Sequence, residues 1–440
     1  MNNRISPTNT DFFLSERAKM AGGAAIGKLM AQALALPDLI SLAAGFVDNA
    51  TLPCDATRTI FETLGQDEDR LRKALQYDST AGSVELRDAL ADWSYGAYSE
   101  AKPEIENMMV TAGSNQFLHL LAEALINPGD IVIVAAPTYF VFLGTLRGVG
   151  AKVVGVPADE NGLCVEALQS ELERIVAAGE ASRLKAIYVV TDFDNPAGST
   201  LSLERRQALV ETVSRWRREQ GPLTLISDNA YQLLRYDGES LPPFLSIAPE
   251  TRDFVIELGT FSKSFSPGIR VGWGVLPKPM VPYLLDMKSN IDFGSPNFAQ
   301  SVIYQALTQG LIDQHLPVIN AAYAKKRDVM LDALEDEFAS VDGVSWHKPE
   351  GGLYVWLKLP EQVDASEGGA LWNAALENGV LYVPGHHCFP EYGTPVAKNS
   401  MRLSFGVQNE AGIRAGIRKL AQALSSSLIS ANVNAVGAEG

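Results

Sequence analysis

The sequence has few cysteines and no excess of positive charge. Three cysteines occur in 440 residues, Cys54, Cys164 and Cys388, and no two of them have CxxC spacing. So few and scattered thiols exclude a disulfide framework and favour a reducing compartment. The 36 lysines and arginines against 52 aspartates and glutamates leave a formal net charge of -16. This charge argues against nucleic-acid binding, because phosphate backbones need a basic surface.

The sequence also lacks apolar segments that would direct the chain into a membrane. No run approaches the length of a bilayer-spanning helix. The N-terminal stretch "MNNRISPTNTDFF" is polar where a secretory signal has an apolar centre. The five histidines include the pair His386 and His387, but no further ligands stand near them in sequence. We therefore expect a cytoplasmic protein with no membrane segment and no metal site.

Seven short apolar runs alternate with helical segments between residues 108 and 276. They are "MMVTAG", "IVIVAAP", "AKVVGVPA", "KAIYVVT", "LTLISD", "DFVIEL" and "GWGVL". Because the runs are apolar throughout rather than alternating, helices should cover both faces of their sheet. The pattern predicts an α/β domain with a mostly parallel sheet.

Beyond residue 295 the pattern changes to that of a smaller α+β unit. A long helical region over 297–339 precedes four predicted strands, "VSWHKP", "LYVWLKL", "VLYVPG" and "MRLSFG". A chain of 440 residues is long enough for two domains. The predicted division is an N-terminal arm with part of the small domain at 1–50, a large domain at 51–300 and a small C-terminal domain at 301–440.

Polar side chains follow several predicted strands at the point where each strand ends, which is where ligands collect in an open α/β sheet. A lysine such as Lys263 can form a Schiff base with an aldehyde. A buried carboxylate such as Asp228 can hold a pyridinium nitrogen protonated. Helix N-terminal amides and hydroxyls at Ser114, with Arg270, can bind a phosphate dianion.

Three further side chains complete this set. Tyr139 could stack on a flat ring, and Asn195 and Tyr231 could bind a phenolate oxygen. Each residue alone has an ordinary explanation, such as helix capping or a turn. Together the requirements describe pyridoxal 5'-phosphate.

The segment "TFSKSFSPGIRVGW" resembles the lysine signature of class I/II aminotransferases, the fold-type I pyridoxal-phosphate enzymes. The segments "VTAGSNQ", "PTY", "DNPAGSTLS", "ISDNAYQLLRY" and "MRLSFG" follow the order of that family, and the resemblance runs from about residue 38 to 420. It implies a mostly parallel seven-stranded sheet between helices and a smaller α+β domain. It also implies that the large domain binds pyridoxal 5'-phosphate.

The resemblance also implies a role for each matched residue. Lys263 is the Schiff-base lysine and proton shuttle, Asp228 the partner of the ring nitrogen, and Tyr139 the residue stacked on the ring. The remaining cofactor contacts would be Asn195 and Tyr231 at the ring oxygen, Ser114, Asn115, Thr260, Ser262 and Arg270 at the phosphate, and Tyr77 at the phosphate of the neighbouring subunit. Gly45, Asn195 and Arg402 would contact the substrate. The implied assembly is a homodimer.

The segment "ISLAAGFVDNATLP" resembles the branch that contains 2-aminoadipate and kynurenine aminotransferases. Two positions depart from that branch: Asn115 stands where glutamine is usual, and Ile26-Gly27 where an Ile-Arg pair is frequent. The implied reaction moves an amino group from an α-amino acid to a 2-oxo acid, either 2-oxoglutarate or pyruvate, by a ping-pong mechanism.

Other functions stay open at the level of sequence. A C–S lyase or a cyclopropane-forming synthase of the 1-aminocyclopropane-1-carboxylate type would share the cofactor site. An aminotransferase-like effector sensor is disfavoured by the negative charge and by the roughly forty residues before the matched region. A dinucleotide-binding protein is disfavoured because no GxGxxG follows the first strand. His386 and His387 could contact substrate, although packing or surface exposure is the simpler interpretation.

Overall fold

The structure is a computed structural model that describes residues 15–20, 27 and 38–437, with side chains up to residue 427. The strands are β1 (Ile40–Ser41), β2 (Met108–Thr111), β3 (Ile131–Ala136), β4 (Lys152–Asp159), β5 (Gly162–Leu163), β6 (Leu184–Val190), β7 (Thr224–Asp228), β8 (Val255–Thr260), β9 (Gly272–Val275), β10 (Tyr354–Lys358), β11 (Val380–Leu381), β12 (Val383–Pro384), β13 (Tyr392–Gly393) and β14 (Ser400–Ser404). The α-helices are α1 (Glu16–Met20), α2 (Cys54–Gln66), α3 (Glu68–Ala74), α4 (Val84–Tyr95), α5 (Ser114–Leu125), α6 (Phe140–Gly148), α7 (Val165–Ala177), α8 (Leu203–Glu219), α9 (Val281–Asp292), α10 (Asn297–Thr308), α11 (Leu311–Phe338), α12 (Ala370–Glu377) and α13 (Glu410–Gly437).

The largest sheet has the strand order β13-β4-β3-β6-β7-β8-β9-β2, with β5 paired to β4. Pairing is parallel from β13 through to β8, whereas β9 runs antiparallel to both of its neighbours. The predicted runs form seven of these strands, and the two-residue strands β5 and β13 extend the sheet. The prediction of an α/β fold with a mostly parallel sheet is confirmed.

The sheet is buried on both faces, as its continuous apolar runs predict. In β3, Val132 and Val134 pack in one buried cluster, and Ile131 and Ile133 pack in a second. Successive side chains of a strand point to opposite faces, so these two clusters lie on opposite sides of the sheet. Polar side chains therefore find room at the ends of the strands, where the loops begin.

The C-terminal region contains a three-stranded antiparallel sheet of order β10-β14-β12. Strand β1 from the N-terminal region pairs in parallel with β11, and β13 joins the large sheet. The first pairing joins the predicted N-terminal arm to the predicted C-terminal domain, and the second joins the predicted C-terminal domain to the predicted large domain. The domain boundaries at residues 50 and 300 stay a prediction.

Three sequence predictions in this region were wrong in detail. The segment "VSWHKP" is not a strand, since only Ser345 forms a bridge, to Lys358. The predicted helix over 297–339 is two helices, because Gly310 adopts a left-handed backbone with φ 66° between α10 and α11. The segment "VLYVPG" forms two short strands, β11 and β12, rather than one.

No helix within residues 15–20 and 38–437 is both long and apolar enough to cross a bilayer. Much of the N-terminal arm predicted at 1–50, including Ile26, lies outside the described residues.

Candidate active site

The loops that follow the parallel strands enclose a cavity of about 240 Å³. Of the predicted site residues, twelve line it: Gly45, Ser114, Asn115, Tyr139, Asn195, Asp228, Tyr231, Thr260, Ser262, Lys263, Arg270 and Arg402. Tyr77 does not line the cavity. Its side chain is 79% exposed, and its ring packs on Phe293 with 5.7 Å between centroids.

Lys263 follows β8 and places its amine on the cavity wall. Its Nζ donates a hydrogen bond to the backbone carbonyl of Gly45 at 2.7 Å. Burial lowers the pKa of Lys263; Tyr354 partly opposes this, and the charges of Arg402 and Arg270 add to the lowering. These effects favour the neutral amine, which is the nucleophilic and basic form.

Asp228 ends β7 and is 4% exposed. Its carboxylate accepts hydrogen bonds from Tyr188 Oη at 2.9 Å and from the backbone N–H of Ala230 at 3.1 Å. Burial raises the pKa of Asp228 to about 6, and these two hydrogen bonds partly oppose the rise. A cation placed against this carboxylate would stabilise its ionised form.

Arg402 lies on β14 with its guanidinium fixed on several sides. Its Nη1 donates to Asn195 Oδ1 at 2.8 Å, and its Nη2 donates to the carbonyl of Ala43 at 2.6 Å. The ring of Tyr354 lies 4.3 Å from its Cζ. The hydroxyl of Tyr354 is 3.0 Å from that of Tyr231, whose Oη accepts from Asn195 Nδ2 at 3.4 Å. One network therefore orients the arginine, the asparagine and the tyrosine.

The opposite end of the cavity is a cluster of hydrogen-bond donors at the start of α5. Ser114 begins that helix, where the first backbone N–H groups have no helical partner. Arg270 donates from Nη1 to Ser262 Oγ at 3.2 Å and from Nη2 to the carbonyl of Ala112 at 3.1 Å. A Cβ at Gly113 would collide with the Arg270 guanidinium, so the glycine allows the close approach. This donor set is suited to a phosphate group.

The two ends together fit pyridoxal 5'-phosphate. A buried carboxyl stands at Asp228 for the ring nitrogen, an amine at Lys263 for the aldehyde carbon, and hydroxyl, amide and guanidinium donors for the phosphate. Burial raises the pKa of Tyr139 to about 12, so its ring stays neutral beside the cavity.

Three residues with left-handed backbone belong to, or lie close to, segments that contain predicted site residues. Among the described residues, three that are not glycine have a positive φ: Phe193 at 52°, Arg270 at 53° and Phe293 at 59°. Phe193 lies two residues before Asn195, and Phe293 lies against Tyr77. A side chain held in this conformation is strained by about 1–3 kcal/mol.

Sequence reasoning missed several residues of the site. Tyr354 lines the cavity. Tyr188 is not a lining residue, but its hydroxyl donates a hydrogen bond to Asp228. The apolar part of the wall includes Phe46, Phe140, Val141, Val190, Ala230 and Pro267, and sequence reasoning assigned none of them to the site. His386 and His387 are not among the lining residues; their rings pack together at 4.0 Å between centroids, and His387 Nε2 lies 3.3 Å from Glu367.

The family model described as "Aminotransferase class I and II" matches residues 37–420. The chain is 36% identical over 412 residues to the aromatic-amino-acid aminotransferase 1 of Thermococcus litoralis, with 94% of each chain covered. It is 33% identical over 352 residues to the 2-aminoadipate transaminase of Thermus thermophilus, covering 80% of this chain and 82% of that protein. A crystal structure of Pyrococcus horikoshii kynurenine aminotransferase in complex with PMP matches with a TM-score of 0.86 at 33% identity, covering 94% of this chain and 98% of that chain.

Proposed function

The chain belongs to the class I and II aminotransferase family, and from this premise we propose that it moves the amino group of an apolar or aromatic α-amino acid to a 2-oxo acid, either 2-oxoglutarate or pyruvate. It is an aminotransferase with pyridoxal 5'-phosphate as its cofactor. When bound, this cofactor supplies a carrier for the amino group and an electron-accepting ring next to the substrate α-carbon. Donor and acceptor would occupy the same site in turn, as a ping-pong mechanism requires.

Lys263 would hold the cofactor through Nζ. In the donor half-reaction it would remove the proton from the substrate α-carbon, and in the acceptor half-reaction it would supply a proton to the α-carbon of the new amino acid. The lowered pKa of Lys263 supports this role, because only the neutral amine can accept a proton. The hydrogen bond to Gly45 supports it as well, since it keeps Nζ at the cavity wall.

The other cofactor contacts follow from the donor and acceptor groups around the cavity. Asp228 would pair with the ring nitrogen, Tyr139 would stack on the ring, and Asn195 and Tyr231 would bind the ring oxygen. The phosphate would be held by hydroxyl, amide and guanidinium groups of Ser114, Asn115, Thr260, Ser262 and Arg270.

Arg402 would bind the substrate α-carboxylate through its two Nη groups, a geometry that arginine provides and lysine does not. Its guanidinium already lies over the ring of Tyr354, so little side-chain freedom remains to be lost on binding. Gly45 would lie beside the substrate.

The proposal of an apolar or aromatic amino donor rests on the apolar wall of the cavity. Among the described lining residues the cations are Lys263, Arg270 and Arg402, and each already has a partner in this scheme. A carboxylate at the far end of a substrate side chain would therefore lie against Phe46, Val141 and their apolar neighbours. Burial without a partner disfavours such a charge.

We further propose that the protein is a cytoplasmic homodimer. Exposed aromatic side chains lie together on one part of the surface, with Phe61 near Phe298 and Tyr77 near Phe293. Clustered exposed apolar groups are typical of protein interfaces. The three cysteines form no disulfide, which supports a reducing compartment.

A single half-reaction tests the proposal. Protein loaded with cofactor is mixed with one amino acid and no oxo acid, and the visible absorption and the 2-oxo acid product are measured. We expect the half-reaction rate constant divided by the dissociation constant to be about 10- to 100-fold higher for phenylalanine and leucine than for 2-aminoadipate, the effect of one unsatisfied charged group. In the Lys263→Ala variant, transamination should fall by at least about 10²- to 10⁴-fold, although cofactor still binds.

Lys152→Ala is the matched control, because that lysine pairs with Glu180 on the surface of β4. With an S-substituted cysteine as the amino acid, release of a thiol together with ammonia and pyruvate would indicate a lyase, and binding of amino acids without conversion would indicate an effector sensor. Undiminished transamination by Lys263→Ala would contradict the assignment of that lysine.

A further inference from the structure

A chain of hydrogen bonds connects a buried lysine to the donor cluster at the start of α5. Lys288 is 0% exposed, and its Nζ lies 2.7 and 2.8 Å from the two carboxylate oxygens of Asp292. Asp292 Oδ2 accepts from Gln116 Nε2 at 2.7 Å. Gln116 Oε1 accepts from the backbone N–H of Ala112 at 2.7 Å. We call Lys288, Asp292 and Gln116 the Lys288 chain.

The Lys288 chain ends on the loop that forms the donor cluster. Ala112 is held on both sides, because its N–H donates to Gln116 and its carbonyl accepts from Arg270 at 3.1 Å. The next residue, Gly113, has φ 83° and precedes Ser114 at the first turn of α5. The position of the loop against Arg270 therefore depends on both contacts.

Charge fixes the direction of every hydrogen bond in the Lys288 chain. An ammonium only donates, and an ionised carboxylate only accepts. Asp292 thus requires the NH₂ of Gln116 to face it, which leaves the amide oxygen to face Ala112. With an apolar residue at 288, the Asp292 carboxylate would lose the ammonium that holds it in place, and its hydrogen bond with Gln116 would lose its fixed geometry.

Packing alone does not account for an ammonium that is 0% exposed, paired with a carboxylate whose side chain is 23% exposed. Burying a charge carries a desolvation penalty of several kcal/mol, and an apolar residue of similar volume often serves stability as well or better. What the ion pair adds is orientation. Through Gln116 it orients the Ala112–Ser114 loop, which contributes to the cavity lining.

We infer that Lys288, Asp292 and Gln116 are positioning residues for the phosphate of the cofactor: they touch the phosphate through no atom of their own and hold the Ala112–Ser114 loop in register with Arg270. The inference rests on the proposed function, in which that loop and Arg270 bind phosphate. It assigns to the Lys288 chain the discrimination between a phosphorylated and an unphosphorylated ligand.

The test compares binding of pyridoxal 5'-phosphate with binding of pyridoxal, which lacks the phosphate, to protein freed of cofactor. In Gln116→Ala the dissociation constant for pyridoxal 5'-phosphate should rise about 10-fold, as for the loss of one positioned charge-assisted contact. The constant for pyridoxal should stay as in the wild type. The ³¹P resonance of the bound phosphate should also shift.

A second variant, Lys288→Met, should act in the same direction. The double variant should lose little more than either single one, because the residues act as one unit. The control is Gln300→Ala: Gln300 is a buried amide, which accepts from Ser83 N–H at 2.9 Å and donates to the carbonyl of Ser295 at 2.9 Å. Neither of its two partners belongs to the Ala112–Ser114 loop, so its removal should leave the ratio of the two dissociation constants unchanged.

An unchanged ratio in Gln116→Ala, with circular dichroism like that of the wild type, overturns the inference and leaves the proposed function intact. A ratio that changes equally in Gln300→Ala also overturns it, because the effect would then be a general loss of stability. Wild-type protein that gains no visible absorption with pyridoxal 5'-phosphate overturns the proposed function and the inference together.

Discussion

At the scale of single residues, Asp228 holds its carboxyl group where burial favours the neutral form. The residue is 4% exposed, and its pKa is raised to about 6. Between about pH 4, the ordinary pKa of aspartate, and pH 6 the folded protein therefore keeps a proton that the unfolded chain releases. The free energy of unfolding must fall as pH rises through this interval and stay lower above it.

We expect this single group to lower the stability of the cofactor-free protein by about 2 kcal/mol between pH 4 and pH 7. Asp228→Asn cannot ionise and should lose that part of the pH dependence. Urea unfolding of both proteins at several pH values measures it. The variant should be the more stable protein at pH 7 and should show no such advantage near pH 4. Parallel curves for the two proteins would contradict the raised pKa.

Which site residues the sequence could indicate depends on where they stand in their elements. Asp228 is the last residue of a strand, Lys263 and Asn195 follow strands, and parallel strands bring such residues to one edge of the sheet. Tyr188 and Tyr354 lie within apolar runs, where a lone tyrosine is indistinguishable from core packing. Their hydroxyl partners become known only when the strands are placed side by side.

At the scale of elements, α5 is seated on β9 through close contacts at glycines of that strand. Gly274 of β9 lies beneath the ring of Phe117, and a Cβ at that glycine would overlap the ring. Phe117 is three residues after Ser114 on the same helix. The absence of a side chain at position 274 therefore sets how close the start of the helix comes to the cavity.

Gly274→Ala should destabilise the protein by about 1–3 kcal/mol, the usual effect of overpacking a core. It should also weaken cofactor binding, since relief of the overlap moves the helix that begins at Ser114. Gly144→Ala is the control: its Cβ would meet nothing within 4 Å inside α6, and it should stabilise by about 0.5–1 kcal/mol. Thermal unfolding and cofactor titration test both variants; equal effects would refute the contact argument.

The elements that the sequence predicted well are the strands with continuous apolar runs. The seven apolar runs became strands because each is buried on both faces. The segment "VSWHKP" alternates as a strand does, yet it pairs only at Ser345. Pro349 has no N–H to donate, and Gly352 turns the chain at φ 75° before β10 begins. A pairing partner is a tertiary property, and composition does not supply one.

At the scale of the whole molecule, the proposed homodimer would join Tyr77 of one subunit to the phosphate site of the other. Tyr77 is 79% exposed and outside the cavity of its own chain. An active site shared in this way is incomplete in a monomer. Two variants with defects in different residues can therefore form one intact site when they combine in a mixed dimer.

Mixed dimers test this arrangement. Lys263→Ala should be inactive, and Tyr77→Phe should bind cofactor about 10-fold more weakly through loss of one charge-assisted hydrogen bond. Dissociating and recombining equal amounts should restore about a quarter of the native sites, because half of the dimers are mixed and each has one intact site. Activity at limiting cofactor measures the recovery. No gain over the sum of the two separate proteins would place Tyr77 in its own subunit's function.

The left-handed residues Phe193, Arg270 and Phe293 carry a lesson for anyone who engineers this enzyme for heat resistance. Glycine adopts that backbone freely, so a screen for durability alone would find these positions attractive. At Arg270 the same exchange would discard the guanidinium that contacts Ser262 and Ala112. A gain in stability at Arg270 would therefore lower the turnover of the enzyme. Variants selected for long storage should also be assayed for transamination.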